Sequence, residues 1–200
     1  MALPTSWHDI NVCEMIEISH TGSSLKDVTK LLNLFIDVND VEMDVFMDAA
    51  VELSSVLSKA PEIVPCLNFE LNGSVYRMRA IEEFSVSEYI DFDEFKDKPV
   101  DNLPTLLAII YESDKDTGDY VEDVKRKAKE LLELPADIAS SAMLFFSKSF
   151  LNYTNSFLGS LAKEKPELKK EVEKIQSLLG TTLSFENPDG ISQTDEPSMG

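Results

Sequence analysis

Acidic side chains are the first candidates for chemistry in this sequence. Asp91, Asp93, Glu94 and Asp97 cluster tightly, and the D-x-D opening is that of a calcium loop, where carboxylates supply hard oxygen ligands. The sixth position, however, holds Lys96 where such a loop needs glycine, and Phe92 and Phe95 read as one face of a helix. A solvated acidic helix is the expected structure. Paired-carboxylate hydrolysis needs two acids held across a cleft, and nothing singles out a pair among the 37 acids. His8, Cys13 and His20 match no zinc spacing, and no second Cys pair is present. Gly22 and Gly73 stand alone, so neither a glycine-rich phosphate loop nor a G-x-S-x-G elbow is written. The basic run Lys125-Arg126-Lys127-Lys129 is bracketed by Glu122, Asp123, Glu130 and Glu133, and reads as a salt-bridged helix face rather than a nucleic-acid patch. No catalytic residue, metal ligand or cofactor-binding residue is assigned, and no cofactor is expected.

The elements that would position any site are announced by a phrase used twice. WHDINVCEMIEI (7–18) and IEEFSVSEYIDF (81–92) align without a gap. In each, a short polar residue is followed three positions later by Glu, Asn11 with Glu14 and Ser85 with Glu88, the spacing of a capping box. Ile10 and Phe84, just before the caps, are placed to staple onto Met15 and Tyr89. Both phrases therefore predict the start of a short helix. Apolar helices follow at 25–36 and 101–111, the second capped by Asp101 with Pro104 in its first turn. Third helices follow at 41–59, capped by Asp40, and at 120–134, led by Asp119. The expectation is two related helical units, residues 6–59 and 81–134, against the alternative of two helix starts that are alike by chance.

Between them, Leu67–Leu71, Asn72-Gly73 and Ser74–Arg79 read as a β-hairpin with a two-residue type I′ turn. The implied register puts Phe69 opposite Tyr76 and Leu67 opposite Met78, with Glu70 and Arg77 facing away. Pro61 and Pro65 mark 60–66 as a linker. After Pro135, read as the first helical residue, a long helix is expected over 136–164, with Ala142, Phe146, Phe150, Tyr153, Phe157 and Leu161 forming an apolar stripe. This stripe has two readings: it is core, or part of it (Phe145, Phe146 and Phe150, or Phe157 and Leu158) is a surface kept for a partner. Pro166 opens a last helix that Gly180 ends, and the polar residues 184–200 are expected to be disordered.

Composition bounds the rest. Hydrophobic residues make up 43% and charged residues 28% of the 200-residue chain, a globular balance. Its 37 acids against 18 bases give a net charge of -19. Such a field repels nucleic acid and anionic membrane and favours basic partners. Two cysteines, far apart, imply a reducing compartment. Residues 1–12 have neither a basic n-region nor an apolar h-region, and 138–161 carries Lys148, Asn152 and Asn155, so a cytoplasmic protein without a membrane span is expected.

In order along residues 4–158, PTSWHDINV, LNGSVYRM, FSVSEYIDFDEF, LPTLLAIIY and the Phe145-Phe146 pair resemble the tail-assembly-chaperone-like accessory proteins of tailed bacteriophages, including phages of gut Bacteroidetes. The resemblance implies a protein that acts by binding and carries no catalytic residues. Trp7, Ile10, Tyr76, Tyr89, Asp91, Phe145 and Phe146 are then expected to be structural. The extra charged helix after Pro166 and the polar tail depart from a small chaperone and leave incorporation into the virion open.

The sequence thus predicts a mainly α protein: two related helical units joined by a β-hairpin, then a long C-terminal helix and a disordered tail. The expected division is 1–60, 61–180 and 181–200. The expected role is non-enzymatic, in the host cytoplasm or in the virion, with a phage tail or capsid component as partner. The rival is an acidic nucleic-acid mimic that inhibits a basic host protein. An enzyme would instead show acids converging in a pocket with raised pKa values.

Overall fold

The computed structural model describes residues 3–39, 41–61, 63–64 and 66–182. Among them the chain is mainly helical, with a small antiparallel sheet. It divides into two compact units, Met1–Phe150 and Leu151–Gly200. No helix among the described residues is long and apolar enough to cross a membrane.

The repeated phrase takes the same local form in both places. A 3₁₀ turn (Trp7–Asp9, Ile81–Glu83) leads into one extended residue, Ile10 or Phe84, and then into a capped α-helix. Helix α1 spans Val12–Ser19; the Glu14 amide donates to Asn11 Oδ1 and the Asn11 amide to Glu14 Oε2, both at 2.9 Å. Helix α4, Val86–Phe95, repeats this reciprocal pair with Ser85 and Glu88. Two of the four orphan amides at a helix start are thereby satisfied by side chains three residues apart.

Helices α2 (Leu25–Asn33) and α3 (Met43–Leu57) complete the first copy. The expected cap Asp40 lies outside the described residues. Helix α3 starts after Glu42, which makes no side-chain cap bond. In the second copy α5 covers Leu103–Ile110, and α6 (Tyr120–Glu130) is capped by Asp119, as the sequence predicts. Two details differ. Asn102, not Asp101, occupies the cap position of α5, and Asp101 instead pairs with His20 at 2.7 Å. The helix also stops at Ile110, because Tyr111 turns extended and opens a strand, β3 (Tyr111–Ser113).

The hairpin strands β1 (Asn68–Leu71) and β2 (Ser74–Met78) have the expected register, Phe69 opposite Tyr76, with Asn72 and Gly73 at φ 52° and 67° in the turn. Strand β3 adds to β2 and makes the order β1-β2-β3. Only three residues long, and begun by the last residue of an apolar run that reads as helix, β3 gives no alternation to detect.

Helix α7 runs from Ala136 to Glu164. Pro135 stands just before it, not as its first residue, and faces Asn11 in an isolated antiparallel bridge. The Val12 amide donates to the Leu134 carbonyl (2.9 Å) and the Ala136 amide to the Ile10 carbonyl (2.7 Å). Proline is tolerated there because the bridge bonds come from its neighbours and require no donor at the facing pair itself. Helix α8, Lys169–Thr182, runs past Gly180, which does not end it. The predicted disorder of 184–200 lies outside the described residues.

Two apolar clusters form the core of the first unit. One gathers Val12, Tyr76, Phe92, Tyr111, Phe146 and six of the eight residues of α5, Leu103 and Leu106 to Ile110, which are buried. The other gathers Ile10, Leu32, Phe35, Phe46, Leu53 and Ala136. Ile10 and Val12, flanking one cap, thus belong to different clusters. Replacing either cap, Asn11→Ala or Ser85→Ala, should lower stability by about 1 kcal/mol each, read as a shift in the urea unfolding midpoint with little change in slope.

Candidate functional site

The aromatic pair and stripe on α7 fall to different fates. Phe146 is buried, its ring stacked on Phe84 at 5.2 Å between centroids and tilted against Phe92 at 5.0 Å. Phe150 is buried too, stacked on Tyr89 at 5.0 Å and tilted against Phe92 at 5.3 Å. These rings are engaged inside the first unit, so the surface expected at Phe146 and Phe150 is core there. Phe145, one position round the helix, is 38% exposed. In the second unit Leu158 is buried and Phe157 is 58% exposed. Of the five positions expected to meet a partner, Phe145 and Phe157 reach solvent.

The acids at 91–97 behave as a helix face. Phe92 and Phe95 pack against the first cluster, Asp91 accepts from the Tyr120 hydroxyl at 2.8 Å, and Lys96 pairs with Asp93. His8 pairs with Asp137 at 3.1 Å, His20 with Asp101, and Cys13 is exposed, so these three candidates do not form one cluster. No group of three or more metal-ligating side chains is gathered among the described residues.

A cleft of about 260 Å³ in the first unit is lined by the polar side chains of Arg79, Glu88, Glu112, Asp116, Tyr120, Asp123 and Lys127. Lys127 lies at its base, with Nζ donating to the Tyr111 carbonyl (2.7 Å) and to Asp116 Oδ2 (3.1 Å). Burial pulls its ammonium below the ordinary lysine value, and Asp116 offsets this only in part. Arg126 joins Asp116 (2.6 Å) to Glu130 (3.1 Å), which in turn accepts from the Tyr76 hydroxyl. Lys125, Arg126 and Lys127 are salt-bridged, in keeping with a salt-bridged helix face, and Lys127 is in addition buried. The sequence signal for it was weak: Lys127 keeps step, at three and four residues, with the apolar Val124 and Leu131.

Three carboxylates of the cleft are held down. Burial raises Asp123, and bonds from the Thr117 and Gly118 amides and the Thr117 hydroxyl more than offset it, leaving the group below its ordinary value. Burial likewise opposes, and Arg79 and the Ser85 amide outweigh, in the lowering of Glu88; Arg77 lowers Glu112. A general acid working near neutrality needs the opposite shift. Chemically this arrangement is suited to holding β3, the following turn and α6 together by charge.

The feature sequence reasoning passed over lies on α3. Phe46, Ala49, Leu53 and Val56 face the second cluster, while Met43, Met47 and Val51 point out, 69%, 51% and 66% exposed. Four-residue spacing puts these three in one row, and Asp44, Asp48 and Glu52, also exposed, form the next row at the same spacing. Neither Asp44, Asp48 nor Glu52 has an ion-pair partner among the described residues. The signal was legible as a helix with apolar residues on more of its circumference than one core contact uses.

Two measurements test these placements. Asp123 is held below its ordinary value of 3.8, so the stability it contributes is complete above that value and is lost as pH falls through its lower folded value. Asp123→Asn should lower the urea midpoint at neutral pH and flatten its decline below about pH 4. Phe146→Ala should cost about 3–5 kcal/mol, and Phe145→Ala no more than about 0.5 kcal/mol, compared by thermal and urea unfolding; equal costs would contradict the core placement.

Comparison with known proteins finds no matching family model, and no match among curated proteins or solved structures.

Proposed function

We propose that this chain acts by binding another protein, without catalysis, in the morphogenesis of a tailed phage, either as an assembly chaperone or as a minor virion component. The observation that carries the binding half is the outward row of α3: three large apolar side chains in solvent, in register with three carboxylates that have no cationic partner among the described residues. Isolated exposed apolar residues are ordinary, but a row of them on a helix already anchored by its opposite face is the form of a contact surface. The phage half rests on the ordered sequence phrases between residues 4 and 158. A net charge of -19 supports a carrier of this kind, since it keeps copies of the chain apart while an apolar surface stays open.

The test is purification of the tagged chain from cells expressing its natural neighbours, with bound proteins identified by mass spectrometry. A tail or capsid component should co-purify in a fixed ratio that survives nuclease treatment. Capture of a basic host nucleic-acid-binding protein instead, released by added DNA, would replace this reading with the mimic. Absence of any retained protein would end it.

A further inference from the structure

We propose that the outer face of α3 docks a basic amphipathic helix of the partner, with Met43, Met47 and Val51 receiving its apolar row and Asp44, Asp48 and Glu52 pairing with Lys or Arg along its flank. This deepens the protein-binding reading above and rests on it.

The two rows run parallel along the helix, so one partner helix can meet both. From Met43 to Val51 α3 rises about 12 Å, room for three side chains of a second helix at i, i+4 and i+8. Methionine suits such a contact because its unbranched, polarizable side chain adapts to different neighbours. The acids beside the row decide what that helix is. They have no cation among the described residues, and a basic flank would satisfy them while the negative field of the whole chain speeds its approach.

Other occupants fit less well. A second copy would bring a further net charge of -19 to an already acidic surface. The chain's own residues 183–200 hold Glu186, Asp189, Asp195 and Glu196 and no Lys or Arg, so they offer the acids nothing. An anionic membrane is repelled. An interface only three side chains long belongs to the weak, reversible class, which suits a partner that must later be handed on.

The probe is a fluorescent synthetic helix with leucines at four-residue spacing and lysines along one flank, titrated against the full chain by anisotropy. A scrambled peptide of the same composition and one with glutamates for lysines serve as controls. Met47→Ser with Val51→Ser removes the apolar row, and Asp48→Lys with Glu52→Lys reverses the charged one; circular dichroism checks that both variants fold. Binding of the basic helix should weaken about tenfold or more in each variant, and the glutamate peptide should bind the charge-reversed variant better than the original chain. With carbon-13 methyl-labelled methionine, the Met43 and Met47 signals should shift on binding and the buried Met78 signal should not. Equal binding to all variants, equal binding of the scrambled peptide, or no binding would overturn the proposal. Repeating the cellular purification with both variants separates the two readings. A virion component still retained by both would overturn the α3 site and leave the binding role standing. Peptide binding as expected with no virion component captured would leave the α3 site and remove the phage role.

Discussion

Two main-chain hydrogen bonds organise the first unit. Val12 to Leu134 and Ile10 to Ala136 clamp the chain just after its first turn to the start of the long helix. Ile10 is extended and Val12 is the first residue of α1, so the change from extended chain to helix across Asn11 delivers the two side chains to different apolar clusters from one short stretch of backbone. Ala136, fully buried in the second cluster, and Leu134, fully buried against the first, repeat the split on the other side of the bridge. The Asn11 cap is therefore more than a helix start: it fixes the backbone at the position where both cores are divided.

A second constraint is electrostatic. Helix α6 is rich in charge, yet Asp123 and Lys127 on it are buried. Burying them is tolerable only because each finds its partners locally: Thr117 and Gly118 for the carboxylate, Asp116 and the Tyr111 carbonyl for the ammonium. The same contacts tie α6 to the residues that follow β3, and Glu130 continues the chain of contacts to the Tyr76 hydroxyl on β2. Sheet and helix are thus joined by ions and hydroxyls on one side and by the apolar α5 on the other.

Much of this was legible in the residues. Capping boxes are written in short polar side chains at fixed spacing, so Asn11, Ser85 and Asp119 could be read directly. The Asn72-Gly73 turn sets a two-residue hairpin and with it the Phe69–Tyr76 pair. What escaped depends on residues distant in sequence. The bridge at Pro135 needs a partner more than a hundred positions away, and β3 borrows its pairing from β2 rather than from any pattern of its own. For the stripe on α7, periodicity marks the face but not which of its residues are covered: Phe146 and Phe150 are, because Phe84, Tyr89 and Phe92 pack on them, while Tyr153 and Phe157 are exposed. The outward row of α3 was hidden by the reverse problem: a helix apolar on two faces looks, in one dimension, like a helix that is simply well buried.

The bridge has a consequence for how the protein comes into being. Residues 10–12 leave the ribosome more than a hundred residues before their backbone partners at 134–136, which emerge only when most of the first unit has been made. Until then the second cluster lacks Ala136 and the first lacks Leu134 and all of α7. Synthesis therefore presents an early segment whose apolar residues wait, incompletely covered, for the chain to return. The strong acidity of the sequence is the property that keeps such a waiting segment from meeting its counterpart on a neighbouring nascent chain.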